Sequence, residues 1–508
     1  MKAGIILSLL LFLFFPAVNA QNLQAKIKID IERKIGDIDS LLFGNFTEHL
    51  GRCIYGGIYD PSSNQANSDG FRKDVIDATR GLGVSVIRWP GGNFSSGYHW
   101  MDGVGDAAQR PVRKDLAWGD SEPNKVGTDE FMKFVRSVHA EPYICVNLGT
   151  GTWDEARNWV EYCNAKTGFY FSDLRAKNGH PEPYHVKFWG LGNEIDGPWQ
   201  MGHRNAEDYS KFALEAAKLM KWSDPSIRLI ASGSSNYGAD WIHWNRTVLT
   251  NLRDQIDYIS VHHYSGNYDR DHNKFMAITR QVEDIINVTE GLINQVRIQY
   301  KLKKPIYIAF DEYNVWYRAF NENKLEEHYN MQDVLVVAMY LNCFLRHANI
   351  VKMANMAQLV NVIAPMMVTQ DKLWLQTIYF PLQMYATNCH GQSLQTLVES
   401  VTYDAGDIKD VPWLDVSSVL NAGNQELIIN VVNRNANQAI ETIIQNQFGV
   451  LDKTATVTSI NATNLSDENS PSEQKIRPAT RSMEIPGNQF SYIFPPHSLT
   501  MIKIKIKP

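Results

Sequence analysis

The chain has 508 residues, 44% of them hydrophobic and 20% charged, with a net charge of −6. That balance belongs to a soluble globular protein large enough for one big core and a smaller one. It leaves no basic footprint for a polyanion, so no nucleic-acid partner is expected. Aromatic residues reach 11%, with 13 Trp and 22 Tyr. Large cores use such a surplus most often, and sugar-binding clefts use it too.

The chain opens with Lys2, an apolar stretch over Ala3–Phe15, a break at Pro16 and the small-residue site Val18-Asn19-Ala20. The stretch is short for a membrane span, which needs about 20 residues. Residues 1–20 read as a cleaved signal peptide with Gln21 as the first mature residue, so a periplasmic or secreted protein is expected, with no membrane attachment after cleavage. The five cysteines, Cys53, Cys145, Cys163, Cys343 and Cys389, have no close metal or redox spacing. They read mostly as buried thiols. Residues 21–39 alternate and are expected to add a strand to a C-terminal domain.

Eight short apolar runs follow, beginning at Ser40, Val84, Pro142, His185, Ile227, Asp257, Pro305 and Ile350. Runs this continuous suit strands buried on both faces, as in parallel sheets. Helical patterns separate them. "NAEDYSKFALEAAKLMKW" and "MQDVLVVAMYLNCFLRH" repeat apolar residues at helical spacing, as does "DEARNWVEYCN", where Asp154 is the expected cap. Eight alternations predict an α/β fold, a (β/α)8 TIM barrel over residues 40–384 with loop insertions beyond its usual size of about 250 residues. A doubly wound open sheet shares the alternation, but no G-x-G-x-x-G follows the first run. Residues 385–508 turn to alternating, β-branched segments such as "ELIINVVNRN" and "KTATVTSI", which predict an additional antiparallel β-sandwich domain.

In such a barrel, chemistry sits where strands end. The run ends carry Glu48 and His49, Asn93, Asn147, Asn193 and Glu194, His262 to Tyr264, Asp311 and Glu312, and Gln358. One such residue alone is usually a solvated strand end; this many on one rim are not. Glu194 and Glu312 end runs four and seven, so they face each other across the mouth. Two facing carboxylates are what glycosidic bond cleavage needs, one holding a proton for the leaving oxygen and the other ionised.

The segments "GNFTEHLGRCIYGGIYDP", "RWPGGNF", "ARNWVEYCN", "GLGNEIDGPWQ", "FDEYNVWY" and "FPPHSLTMIKIKI" resemble glycoside hydrolase family 51, the α-L-arabinofuranosidases, from about Ile35 to the C-terminus. The resemblance implies Glu194 as acid/base after strand four and Glu312 as nucleophile after strand seven. It also implies sugar contacts from Glu48, Asn193 and Gln358, an aromatic wall from Trp118, and His262 and Tyr264 beside the nucleophile. Asn93 stands where relatives vary, and Trp316 would flank the leaving group. The "GTGTW" loop departs from the common pattern, which leaves linkage preference open. Against these readings, Glu48 could instead pair with Arg52 or Arg88, His262 could be a core histidine, and Trp118 and Trp316 plain packing.

The implied function is a retaining, exo-acting α-L-arabinofuranosidase. It would release terminal arabinofuranosyl residues from arabinan, arabinoxylan or their oligosaccharides, with no metal or organic cofactor. The resemblance allows a homo-oligomer. The alternatives are an endo-β-glucanase or β-xylosidase on the same fold, or a non-catalytic carbohydrate-binding protein.

Overall fold

The computed structural model describes residues 23–319 and 325–507, so the N-terminal stretch read as a signal peptide lies outside the described residues. Each apolar run supplies one strand of a closed parallel barrel: β1 (Gly44–Phe46), β2 (Val86–Trp89), β3 (Glu141–Val146), β4 (Phe188–Leu191), β5 (Arg228–Ala231), β6 (Tyr258–Ser265), β7 (Tyr307–Val315) and β8 (Val351–Ala357). Neighbours in sequence are neighbours in space. The ring closes where β8 pairs with β1, Asn355 opposite Gly44 and Ala357 opposite Phe46.

Six of the strands are shorter than the runs, while β6 and β7 run on past theirs to Ser265 and Val315. In the first, Ser40–Phe43 forms a 3-10 turn capped by the Asp39 side chain, and only the last three residues are extended. Side chains alternate along a strand, so Val86, two residues before Arg88, points into the barrel. There it packs with Tyr143, Phe188, Ile230, Tyr258, Ala309 and Met353, one layer drawn from seven strands.

The helices form where the apolar spacing places them. Asn205 caps Ala206–Ser223 by accepting from Asp208 N. The helix Trp153–Asn164 is capped by Thr152, not by Asp154, which falls in its first turn. Thr152 is the residue in extended backbone, and its hydroxyl reaches the N–H of Glu155. Helix Met331–Arg346 is buried nearly all round because it lies between the barrel and the C-terminal sheet. Asp415 of that sheet accepts from Asn342 and Arg346 on this helix and from Arg434.

The C-terminal domain is one nine-stranded, mostly antiparallel sheet. The strand Leu23–Ile38 lies within it, antiparallel to Gly391–Ser400 and parallel to Ile440–Asn446. The expected sandwich is thus built by a single sheet that curls until its edges meet. Arg481 on one edge strand donates to the Tyr492 hydroxyl on the other and lies over its ring. One apolar core fills the fold, with Ile29, Val416, Ile429, Ile444, Val457, Phe494 and Ile504 among its members. All five cysteines are buried and free.

Candidate active site

The floor of the barrel mouth is built on a buried arginine. Strand β2 is apolar except for Arg88, whose side chain is 1% exposed. A guanidinium taken out of water has to be paired. Arg88 donates to Glu312 Oε2 at 2.7 Å and to Asn193 Oδ1 at 2.5 Å, and its Nε lies 3.7 Å from Asp311 Oδ2. One side chain therefore holds the ends of β4 and β7 in register across the barrel.

Two local departures from regular backbone aim the carboxylates. In a strand, consecutive side chains point to opposite faces, yet Asp311 and Glu312 both point inward. The register shows why. Ala309 pairs with Ser260 but Glu312 with His262, so β7 carries an extra residue there, and the pairing with β8 slips in the same place. This is a β-bulge, which re-aims a side chain. At the end of β4, Asn193 and Glu194 also both face the site. Glu194 sits at φ 46°, in the left-handed region that few residues other than glycine adopt.

Above the floor opens a cavity of about 610 Å³ lined by Glu48, Asn93, Trp118, Glu194, His262, Tyr264, Glu312, Trp316 and Gln358, together with Trp199 and Tyr237. Asn193 lies at its base, donating to Asn93 Oδ1 at 3.4 Å. All ten residues singled out in the sequence thus converge on one site. Glu48 pairs with neither arginine: Arg52 binds Glu326 instead. Glu48 accepts from Phe94 N at 2.9 Å, Trp118 Nε1 at 3.1 Å and Gln358 Nε2 at 2.9 Å. Glu312 Oε1 accepts from the Tyr264 hydroxyl at 2.8 Å. Glu194 accepts from His262 Nδ1 at 3.0 Å through Oε1 and from Trp199 Nε1 at 2.8 Å through Oε2. Trp316 packs edge-on to Tyr264.

Other residues at the run ends take supporting places. His49 stacks on Phe94 and binds Glu122, the last residue of the Arg113–Glu122 hairpin that carries Trp118. His263 meets the Tyr340 hydroxyl, and Asn147 accepts from three successive N–H groups of the "GTGTW" loop. Arg88 and Trp199 were not among the expected site residues. Arg88 had a signal, a lone charge inside an apolar run; Trp199 had only its place in the segment "GLGNEIDGPWQ", five residues after Glu194.

One ligating atom each from Glu194, His262 and Glu312 lie within 4.8 Å of one another. Such crowding shapes the charges. Burial and then the Glu312 charge raise the pKa of Glu194 and carry that of Glu48 up to about 7. Burial opposes the charge on His262, but Glu312, Asp311 and Glu194 outweigh it and raise its pKa to about 10, so it is an imidazolium near neutrality. Burial likewise opposes ionisation of Asp311, yet Arg88 and His262 hold its pKa at about 2. A second cluster of such side chains, Glu283, Cys343 and His347, lies outside the barrel mouth, and there Arg346 binds the carboxylate.

The glycine pair of "RWPGGNF" has a steric reason here. A Cβ on Gly92 would lie 2.4 Å from Glu48 Oε2 and 2.6 Å from Oε1. Since three donors hold that carboxylate, it cannot yield freely. Gly92→Ala is expected to fold normally and to lower kcat/KM about tenfold, roughly 1.4 kcal/mol. Steady-state kinetics and circular dichroism on the variant check this, and unchanged kinetics would show that Glu48 can move aside without loss.

Residues 78–279 match the α-L-arabinofuranosidase 1 domain and residues 311–498 the α-L-arabinofuranosidase C-terminal domain. An intracellular exo-α-(1→5)-L-arabinofuranosidase 1 of Bacillus subtilis is 44% identical over 83% of this chain and 87% of its own. The chain belongs to glycoside hydrolase family 51, the α-L-arabinofuranosidases. It is a glycoside hydrolase. A family 51 α-L-arabinofuranosidase from Bifidobacterium longum superposes with TM-score 0.91 at 32% identity, over 95% of this chain and all of that one. An α-L-arabinofuranosidase from Thermotoga maritima, in an arabinose complex, gives 0.87 at 38% identity, over 94% and 99%.

These relatives correct one expectation. Three curated family members, 41–44% identical, are named intracellular enzymes, which overturns the periplasmic or secreted location read from the first residues. An apolar N-terminal stretch is a compositional signal that other segments share. Among the described residues, no helix is long and apolar enough to cross a membrane.

Proposed function

We propose that this family member hydrolyses terminal α-L-arabinofuranosides with retention of configuration, using Glu312 as nucleophile and Glu194 as general acid and then base. The observation that carries the reading is the separation of the two carboxylates. An oxygen of each lies within 4.8 Å of the other, short of the 6.5–9.5 Å or so that leaves room for a water and in keeping with a retaining pair.

The environments support a division of labour. Arg88 and the Tyr264 hydroxyl both donate to Glu312 and hold its carboxyl group in place at the barrel mouth. Glu312 Oε2 or Oε1 attacks the anomeric carbon and the glycosidic C–O bond breaks. Glu194, whose proton affinity is raised by burial and by the Glu312 charge, delivers its proton to the departing oxygen. In the second step Glu194 takes a proton from water, the water oxygen attacks the anomeric carbon, and Glu312 leaves as carboxylate. Both displacements invert, so the product is the α anomer. His262, an imidazolium between the two acids and Asp311, balances charge that passes between them.

The far end of the pocket supports exo action. Glu48 and Gln358 are each 2% exposed there, with Asn193 at 1%, so hydroxyl ligands line a closed end that admits only a chain terminus. A site built to pair buried polar groups with hydroxyls rejects sugars that lack them. Glu48→Ala is expected to lower kcat/KM at least about tenfold, through the loss of roughly 1.4 kcal/mol of transition-state binding. Kinetics at matched pH read this directly; an unchanged value would place Glu48 outside the contact surface. The names of the relatives at 41–44% identity favour α-(1→5)-linked arabinan fragments as substrate.

The test is hydrolysis of 4-nitrophenyl α-L-arabinofuranoside followed by proton NMR from the first seconds. The α anomer of arabinose is expected to appear first. Initial β-arabinose would reject retention, and turnover confined to β-xylosides or β-glucans would reject the substrate class.

A further inference from the structure

We propose that Trp199 is a positioning residue that holds the carboxyl group of Glu194 and sets how readily that group gives up and regains its proton. The inference rests on reading Glu194 as the acid/base and adds a second residue to its control.

Three observations converge on this indole. Its Nε1–H donates to Glu194 Oε2 at 2.8 Å, from a position five residues further along the same loop. The loop is shaped for it. Gly197 N donates to Glu194 O, closing a turn, and the indole lies where a Gly197 side chain would be. A Cβ there would meet Trp199 Cε2 at 2.4 Å and Cζ2 at 2.5 Å. Only a glycine lets the ring fold back over the turn and reach the carboxyl group. Finally, Trp199 lines the cavity at its rim, 53% exposed, so the indole stands beside the acid/base and not in the core.

The chemistry explains what the contact does. Glu194 must be protonated in the first step and ionised in the second. A hydrogen bond donated to the carboxylate favours the ionised form. Both oxygens of Glu194 are held this way, but the donors differ in kind. His262 is 4% exposed and locked from its other nitrogen by Ser260 and Asp311. Trp199 sits on a surface loop and is the donor that can be changed without disturbing the floor. The other charged and titratable groups around Glu194 are Glu312 and Asp311 from β7, Arg88 from β2, Tyr264 from β6, Glu48 after β1, Tyr237 after β5 and Asp196 on the same loop. All have partners other than Trp199, so its removal leaves them in place.

The test uses Trp199→Phe, which keeps an aromatic ring and removes the donor. With an α-(1→5)-arabinobiose, kcat/KM depends on protonated Glu194, and its basic limb is expected to move up by about 0.5–1 pH unit. With 2,4-dinitrophenyl α-L-arabinofuranoside the leaving group departs unaided, so kcat reports the second step, which needs ionised Glu194. Its acidic limb is expected to move up by the same amount, giving a several-fold loss of kcat on the acidic side. The first step therefore gains at high pH while the second loses at low pH, a pattern that a merely structural role cannot produce. Gly197→Ala displaces the indole and is expected to repeat both shifts. Limbs that stay in place in Trp199→Phe, or two rates that fall by one factor at every pH, overturn the proposal. The reading of Glu194 is tested separately, by the leaving-group dependence of Glu194→Ala, which does not involve Trp199.

Discussion

Glu312→Ala is expected to lose activity by on the order of 10⁴-fold or more on every arabinofuranoside, whatever the leaving group. The side chain forms the bond that replaces the glycosidic one, so a better leaving group cannot compensate for its absence. The same change strands Arg88, whose guanidinium would keep only Asn193 and Asp311 as partners. A loss of stability would accompany it, because breaking a buried pair leaves an uncompensated charge. Glu312→Gln retains an acceptor for Arg88 and separates the two effects: it is expected to remain folded and equally inactive. Added azide can take the place of the missing carboxylate in the variant with alanine. It then attacks from the side Glu312 occupied, displaces the leaving group once, and yields the β-arabinosyl azide. Recovery of the α-azide, or activity within tenfold of the parent, would remove Glu312 from the nucleophile's role.

Glu194→Ala is expected to divide substrates by their leaving groups. A general acid contributes about 10²–10⁴-fold, and most when the departing oxygen is a poor leaving group. Loss near the top of that range is expected on arabinobiose. On an activated aryl arabinofuranoside the first step is expected to survive, with a burst of phenolate and then a stall, since no base remains to activate water. Azide needs no base. It should restore turnover and enter from the face that the leaving group vacated, giving the α-arabinosyl azide, a product opposite to that of Glu312→Ala. Equal losses on both substrates, or a β-azide here, would falsify the assignment of Glu194. The two variants together distinguish the roles by stereochemistry, which no difference in folding can imitate.

Much of this site is legible in the order of residues. Eight apolar runs with helical patterns between them can bury their faces together only as a wound or closed parallel sheet, and loop chemistry collects where such strands end. Glu194 and Glu312 follow from that count alone, at the ends of runs four and seven. The motifs around them point to the family and to the remaining pocket residues. The location does not follow, because a short apolar N-terminus is shared by segments of different fate, and relatives named intracellular decide against export.

What only the tertiary structure decided comes from geometry that has no period. Strict alternation would send Asp311 and Glu312 to opposite faces; a bulge whose existence depends on the pairing of β7 with both β6 and β8 turns both inward. Of the histidines at the run ends, His262 stands against Glu194, His263 borders the same cavity but is engaged by Tyr340, and His49 is drawn away to Glu122, both partners coming from distant segments. Arg88 could be read as a buried charge, but its partners Asn193 and Glu312 lie more than a hundred residues away, and only barrel closure brings them within hydrogen-bonding distance. The sequence alone determined which residues sit at the ends of which strands, since local periodicity encodes that. Which of them touch was decided by closure, bulge and backbone strain, because those depend on contacts between segments that the order of residues does not place side by side.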